Sequence, residues 1–473
     1  MNPRLVIAAL RGGCGKTVFS IGLCSLWREK GGGVVPFKKG PDYIDAAWLS
    51  RAAGKPCRHL DPYLMTREEI LGSYLRHTRK RQAAITIIEG NRGLYDGVDP
   101  EGSCSTAELA KVLRAPVIIV LDGTKTTRTA AAMVLGLRQL DHKVDIQGVV
   151  LNKVAGARHE SILRRSIEEF AGVRVLGAMP RLHGLKFPER HLGLVPPEEL
   201  DLQHELIREI TSMIRGNVQT EKIWEIAAKA VDLPTVSLYR GKTFQEQGQR
   251  FRVGVIRDEA FHFYYPENLE ALEERGAKVV PISALETSHL PDVDALYIGG
   301  GFPEMWAEGL AQNASIRREI RDAAKEGLPV YAECGGLMYL GDALRFRGRQ
   351  YPMVGAIPLV SEFSERPQGH GYTTLEAAYN NPFFRRGTIL KGHEFHYSKI
   401  VSMDETKISF AFRVLRGRGI DGEREGIVRK NVLASYTHIH ALGCGAWGDG
   451  ISFCSRHWRQ GQQPGMVMGG GLI

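Results

Sequence analysis

Cysteine is scarce: the 473 residues hold only seven, an odd number, and no two stand as C-x-x-C. That pattern indicates neither a disulfide framework nor a structural zinc site. No apolar stretch reaches the roughly 20 residues that a bilayer crossing requires, so a membrane partner is not expected. The opening residues lack a basic flank followed by a long apolar core and a small-residue cleavage site; no signal peptide is read there, and the cytoplasm is the expected location. Acidic residues are the minority, with 62 Lys and Arg against 53 Asp and Glu and a formal net charge of +9. The basic residues are nevertheless spread along the chain, not gathered in a stripe, which argues against nucleic acid. The densest run, Arg76 to Arg81, reads as a solvated helix end and loop, and a polyanionic small substrate suits the charge balance equally well. Tandem repeats and low-complexity tracts are missing too.

What is present is an ordinary globular composition, 43% hydrophobic and 24% charged, in a chain too long for one core. Short Val/Ile-rich runs (Leu5 to Leu10, Ile85 to Glu89, Val117 to Asp122, Gly148 to Asn152) alternate with amphipathic segments, the pattern of strands buried on both faces of a parallel sheet. A second set begins at Arg252 to Ile256 and continues through Lys278 to Ile282, Ala295 to Gly300 and Pro329 to Glu333. The expected organisation is two α/β domains, 1–212 and 251–458, joined by a helical, polar linker over 213–250 and followed by a flexible tail over 459–473.

The first motif is "LVIAALRGGCGKTVFSIGL", a glycine-rich turn between a strand and a helix. Such a turn presents backbone N–H groups and a helix N-terminus to phosphates, with Lys16 on the β/γ oxygens and Thr17 on magnesium. The first glycine of the usual phosphate loop would fall at Leu10, so this is a variant centred on Gly12, Gly13 and Gly15. It resembles the deviant loop of ATPases related to dethiobiotin synthetase and the partitioning ATPases, with Arg11 in place of their leading lysine. ATP and Mg²⁺ are the expected cofactors. Glu89, at the end of its strand, and Asp45 are the carboxylates expected to join Thr17 at the metal. Lys38, Asp42, Tyr43, Arg92 and Asp96 are candidate substrate-binding residues; Lys38 and Asp42 sit in "PFKKGPDYIDAAW", read as a glycine-proline turn carrying both cations and carboxylates. A salt-bridged or surface role is the plainer reading of each charge taken alone.

The second motif is "YAECGGLMYL", in which Cys334 falls on a sharp strand-to-helix turn. Alone, such a cysteine is more often a small core residue. The glycines after it permit a tight backbone and the helix start favours a thiolate, the attributes of a nucleophile. "YIGGGFPE" offers backbone N–H groups at Gly300 and Gly301 which, with that of Gly335, can hold an oxyanion. "ASYTHIH" offers His438 and His440, one to deprotonate Cys334 and the other to orient it, although either can be an ordinary buried histidine. After His440 the residues Cys444, Cys454 and His457 fit no standard metal-binding spacing.

The motifs "FKKGPDYID", "EGNRGLYDG", "FPERHLGLVPPEE", "RDEAFHFYYPENLEAL", "YIGGGFPE", "AECGGLMYL", "GHEFHYS" and "ASYTHIH", in order over about residues 4 to 440, resemble the cobyrinic acid a,c-diamide synthase family. The resemblance implies an N-terminal ATP-dependent amidoligase domain of dethiobiotin-synthetase-like fold and a C-terminal class I-type glutamine amidotransferase domain lacking the usual third acidic member of its triad. By it Cys334 is the glutaminase nucleophile and His438 its base, with glutamine and the carboxylates of a tetrapyrrole as partners; a homodimer stays open. It gives no role to His393, Glu394 or His396. Cobyrinate is the family-level substrate. The "RGGxGKT" and "EGNRGLYDG" variants are similar to a subgroup linked to dissimilatory sulfite reductase, for which sirohaem is the inferred substrate. Rival classes are a partitioning-type regulatory ATPase with an inactive glutaminase-like module, a short-chain ligase, and cobyric acid synthase.

Overall fold

The computed structural model describes residues 3–78, 85–181, 189–190, 193–199, 202–234 and 250–462. Part of the basic run (79–81), most of the linker's second half (235–249) and the last residues of the tail (463–473) lie outside them. The chain forms two compact units, Met1–Tyr239 and Arg240–Ile473.

The first unit is built on a seven-stranded sheet of β1 (Arg4–Ala9), β2 (Val34–Lys39), β3 (Arg58–Leu60), β4 (Ile85–Glu89), β5 (Val117–Asp122), β6 (Ile146–Val154) and β7 (Val175–Pro180), in the order β3-β2-β4-β1-β5-β6-β7. Every pairing in it is parallel. All six residues of β1 are buried, as the unbroken apolar run predicts for a central strand covered on both faces. Two-residue strands β8 (Glu189–Arg190) and β9 (Gly193–Leu194) pair as a small antiparallel ribbon.

The expected linker begins inside a helix. Residue 213 lies within the helix Gln203–Asn217, whose Ile207, Ile210 and Ile214 form a buried stripe at helical spacing. Thr211 Oγ1 donates to Ser25 Oγ at 2.8 Å, which ties this helix to Lys16–Glu29. The next helix, Thr220–Ala228, sets Trp224 edge-on to Trp27, ring centroids 5.9 Å apart. Residues 213–228 therefore belong to the first unit; the loss of strands in the sequence marks covering helices, not a spacer.

The second unit has a ten-stranded mixed sheet. Its strands are β10 (Phe251–Ile256), β11 (Ala277–Ile282), β12 (Ala295–Ile298), β13 (Val330–Glu333), β17 (Gly369–Glu376), β18 (Ile389–His396), β20 (Ser409–Arg416), β21 (Arg424–Arg429), β22 (Val432–Ser435) and β23 (His438–Ile439), ordered β11-β10-β12-β13-β22-β21-β20-β17-β18-β23. A four-stranded sheet of β14 (Ala343–Phe346), β15 (Arg349–Pro352), β16 (Leu359–Phe363) and β19 (Ser398–Met403) completes it. Strand alternation divides the core: Ile298 and Ala332 join one apolar cluster with Leu337, while Tyr297 and Tyr331 join another with Trp447. Trp447 belongs to the helix Gly445–Arg459, so residues after His440 still build the core, and the expected tail start at 459 coincides with the last helical residue. Cys454 in that helix is buried, its Sγ donating to Pro382 O at 3.0 Å.

Candidate functional site

In the first unit the loop after β1 turns at Gly13 (φ 73°) and Gly15 (φ 95°), backbone conformations that disfavour a side chain. A Cβ on Gly15 would stand 2.2 Å from Asn152 Nδ2, and that amide donates to Cys14 O at 2.9 Å. Lys153, next along β6, reaches Gly13 O at 3.3 Å and Asp122 at 2.9 Å. The end of β6 thus buttresses the loop, a contribution the sequence analysis missed; an Asn-Lys pair at the end of an apolar strand was its signal. Lys16 Nζ donates to Arg92 O at 2.7 Å and to Arg11 O at 3.4 Å, held at the loop by two carbonyls. Burial, and then the charge of Lys38, hold Lys16 below its ordinary value.

Behind the loop lies a buried ionic cluster. Lys38 is not on a turn but in β2, almost fully buried, with Nζ 2.6 Å from Asp45 Oδ2 and 2.7 Å from Glu89 Oε1. This corrects the loop reading of "PFKKGPDYIDAAW": the lysine is satisfied by carboxylates inside the fold. Burial opposes its charge, but Asp45, Glu89 and Asp42 raise it well above the ordinary value. Thr17 Oγ1 donates to Glu89 Oε1 at 3.0 Å. Asp42 caps the helix Tyr43–Ala53, accepting from Asp45 N–H at 3.0 Å; burial and the neighbouring Asp45 push its carboxyl up to about 7. Tyr43 opens that helix, its ring 6.0 Å from His59. Asp96 accepts from Gly93 N–H at 2.7 Å and so shapes the turn holding Arg92, which has a φ of 50°. The residues fit a magnesium ion: Glu89 Oε2 is buried without a hydrogen-bond partner, and a hydroxyl with one or two carboxylates is the hard oxygen set that Mg²⁺ takes beside phosphates.

In the second unit Cys334 connects β13 to the helix Gly335–Leu340 with φ 49° and ψ −101°, a strained conformation for a side-chain-bearing residue. Its N–H donates to Ser435 O at 2.7 Å, which extends the β13–β22 pairing up to the turn. The following glycines are forced by close approach. A Cβ on Gly336 would stand 2.5 Å from Ile298 O, and one on Gly335 would stand 3.1 Å from Gly301 N. Gly301 and Gly335 are thus brought together beside the turn at Cys334. A Cβ on Gly300 would meet His438 Cε1 at 2.5 Å, so the three-glycine run also makes room for the imidazole.

His438 is buried in β23 and paired in register with His393 of β18; the two rings stack with centroids 4.9 Å apart. His393 Nδ1 lies 3.2 Å from Tyr265 Oη. His396 stacks on Tyr436 at 3.8 Å, its Nδ1 is 2.8 Å from Ser398 O, and burial pushes it down to about 4. Glu394 accepts from the N–H groups of Arg418 and Gly419. "GHEFHYS" is thereby the strand that supports His438. His440 does not orient His438: it packs against Tyr265 at 4.6 Å and lies 3.7 Å from Glu267 Oε2. The group beside His438 is Glu333, with Oε2 3.4 Å from Nδ1, a residue the sequence analysis passed over although it stands next to Cys334. Burial alone would lower His438, but the adjoining Cys334 and Glu333 raise it to about 9.

The first unit matches the model of an AAA domain over residues 3–189, and the second matches the model of the CobB/CobQ-like glutamine amidotransferase domain over residues 252–445. As a class, then, the chain joins a nucleotide-binding domain to a glutamine amidotransferase domain. It is 42% identical over 461 residues to the cobyrinate a,c-diamide synthase of Magnetococcus marinus, covering 97% of each chain. It is 44% identical over 441 residues to that of Archaeoglobus fulgidus (93% of this chain, 94% of the relative) and 42% over 446 residues to that of Methanothermobacter thermautotrophicus (93% and 97%). The chain belongs to the cobyrinate a,c-diamide synthase family.

Proposed function

We propose that this chain amidates the a and c acetate carboxylates of cobyrinate, using glutamine as nitrogen donor and ATP as activator. The observation that carries the chemistry is the pairing of Cys334, on its strained turn, with the buried His438. Cys334 Sγ bonds to the amide carbon of glutamine, the oxyanion is held by backbone N–H groups of the Gly300, Gly301 and Gly335 region, ammonia leaves, and water releases glutamate. In the first unit a substrate carboxylate takes the γ-phosphoryl group of ATP, and ammonia displaces phosphate from the resulting acyl phosphate. Lys16 and the loop N–H groups of Gly12, Gly13 and Gly15 hold the phosphates in this reading. Thr17, Glu89 and Asp45 would hold Mg²⁺, which when bound withdraws negative charge from the transferring phosphoryl. Arg92 is the candidate cation for a substrate carboxylate.

The substrate follows from the full-length relatives, all named for cobyrinate. It is tested by mass spectrometry of products after incubating the protein, MgATP and glutamine separately with cobyrinate and with sirohaem. Each amidation lowers the mass by about 1 Da, from the exchange of OH for NH₂. Two such steps on cobyrinate are expected; diamide from sirohaem alone overturns the substrate and leaves the chemistry standing.

A further inference from the structure

The resemblance in sequence leaves the glutaminase without a third, acidic member, yet a buried carboxylate stands beside its histidine. Glu333 ends β13 and is fully buried. Its Oε1 accepts from Ile439 N–H at 3.1 Å, its Oε2 accepts from Tyr297 Oη–H at 3.1 Å, and His438 Nδ1 lies 3.4 Å from the same Oε2. Asn268 locks both flanks: Nδ2 donates to Tyr297 Oη at 3.2 Å and to Ile439 O at 2.8 Å, and Oδ1 accepts from Ala441 N–H at 2.7 Å. The segment carrying His438 and the strand carrying Glu333 are therefore fixed against each other on both sides of the contact.

A buried carboxylate demands compensation. Two of these three partners are neutral donors, and the third is the imidazole, which becomes a cation on protonation. Among the described residues Cys334, the stacked His393 and, at longer range, His396 also face His438, and none of these three is a carboxylate. The 3.4 Å separation exceeds an ordinary N–H···O bond, as is common for catalytic contacts before substrate binds.

We propose that Glu333 is the positioning acid of the glutaminase, holding the His438 ring with Nδ1–H toward Oε2 so that Nε2 exchanges the proton with Cys334. The inference rests on Cys334 and His438 being the glutaminase pair. The Cys334 proton, held on Nε2, leaves Sγ a thiolate; Sγ bonds to the amide carbon, Nε2 gives the proton to the nitrogen as the C–N bond breaks, and ammonia departs. Glu333 keeps its charge throughout and fixes which nitrogen carries the resident proton. Nucleophile and acid are then consecutive residues, separated by the strained turn that sends their side chains to different surroundings.

The test is Glu333→Gln, which keeps shape and removes charge. Glutamine hydrolysis is expected to lose roughly 10² to 10⁴-fold in kcat, by comparison with neutralising a triad acid, while KM for glutamine moves less than about threefold. The alkaline limb of Cys334 alkylation by iodoacetamide is expected to move to lower pH, because the imidazolium loses its partner, and Glu333→Asp restores part of both. A kcat within about threefold of wild type together with an unmoved alkylation profile overturns the proposal. Should the variants not fold, the wild type decides: in ¹⁵N spectra of histidine-labelled protein titrated until the His438 ring is neutral, with His438 assigned by its loss in His438→Gln, the remaining ring proton is expected on Nδ1, and a neutral ring with a bare Nδ1 overturns the assignment. Cys334→Ser separates the two levels. If it still hydrolyses glutamine, the pair itself is wrong; if it is inactive while Glu333→Gln is unaffected, only the role of Glu333 fails.

Discussion

Lys38 Nζ stands 2.7 Å from Glu89 Oε1, joining residues that face each other in register at the ends of two neighbouring parallel strands through one buried ion pair. A lysine so placed neutralises a cluster of three carboxylates, and its removal leaves them uncompensated.

Lys38→Met is therefore expected to destabilise the first unit by about 3 to 5 kcal/mol, the usual consequence of breaking a buried pair from one side. The deficit should shrink as pH falls from 8 to 5, because Asp42, already pushed up to about 7, and Glu89, raised by burial, take up protons and shed their charge. Thermal melts across that range check it, and a deficit independent of pH would count against the carboxylates as its cause.

Cys334→Ser is expected to abolish glutamine-dependent amidation and glutamate release, by at least about 10³-fold. Amidation supported by an ammonium salt should persist, since the first unit carries the phosphoryl chemistry. Measuring both nitrogen sources in one preparation distinguishes a dead glutaminase from a misfolded protein.

Glu425 predicts how stability varies with pH. It is fully buried, accepts from Gly426 N–H at 2.8 Å and Tyr436 N–H at 2.9 Å, and is pushed up to about 7 by burial. A carboxyl whose folded value lies above its unfolded one binds its proton more tightly when folded. Its contribution is fully present below about pH 4.5 and is lost as pH rises through about 7, up to about 3 kcal/mol in all. Glu425→Gln keeps an acceptor oxygen and should flatten the decline in melting temperature between pH 5 and 8.

Arg92→Ala is expected to raise KM for the macrocycle several-fold while sparing glutamine hydrolysis, because the side chain is the candidate carboxylate partner and only its backbone oxygen holds Lys16. Steady-state kinetics at saturating ATP check this; an unchanged KM removes Arg92 from the substrate site.

The phosphate loop and the nucleophile turn were legible because each depends on local grammar. A strand, a tight turn and a helix must follow one another in sequence, with glycine at positive φ in one (Gly13, Gly15) and at close backbone approach in the other (Gly335, Gly336), so Gly13 to Thr17 and Glu333 to Gly336 announce themselves. Asp42 and Asp96 were legible only as charges: their hydrogen bonds to Asp45 N–H and Gly93 N–H make them shapers of a helix start and a turn. The linker was misplaced because an amphipathic helix docked on another helix and one crossing open solvent differ little in composition. The docking of Ile210 and Ile214 against Gly22 is a long-range fact.

By itself the sequence determined the two α/β units, the loop around Lys16 and the sharp strand-to-helix turn at Cys334, because chain-local geometry suffices for these; the pairing of Cys334 with His438 is what the family resemblance implies. Only the tertiary structure decided that His440 turns to Tyr265 and Glu267, that Lys38 is an internal counter-ion, and that Glu333 stands beside His438. Those assignments depend on side chains far apart in sequence meeting in the fold, Lys38 and Glu89 across paired strands and Glu333 and His438 from strands that do not pair, where burial makes every unpaired charge expensive.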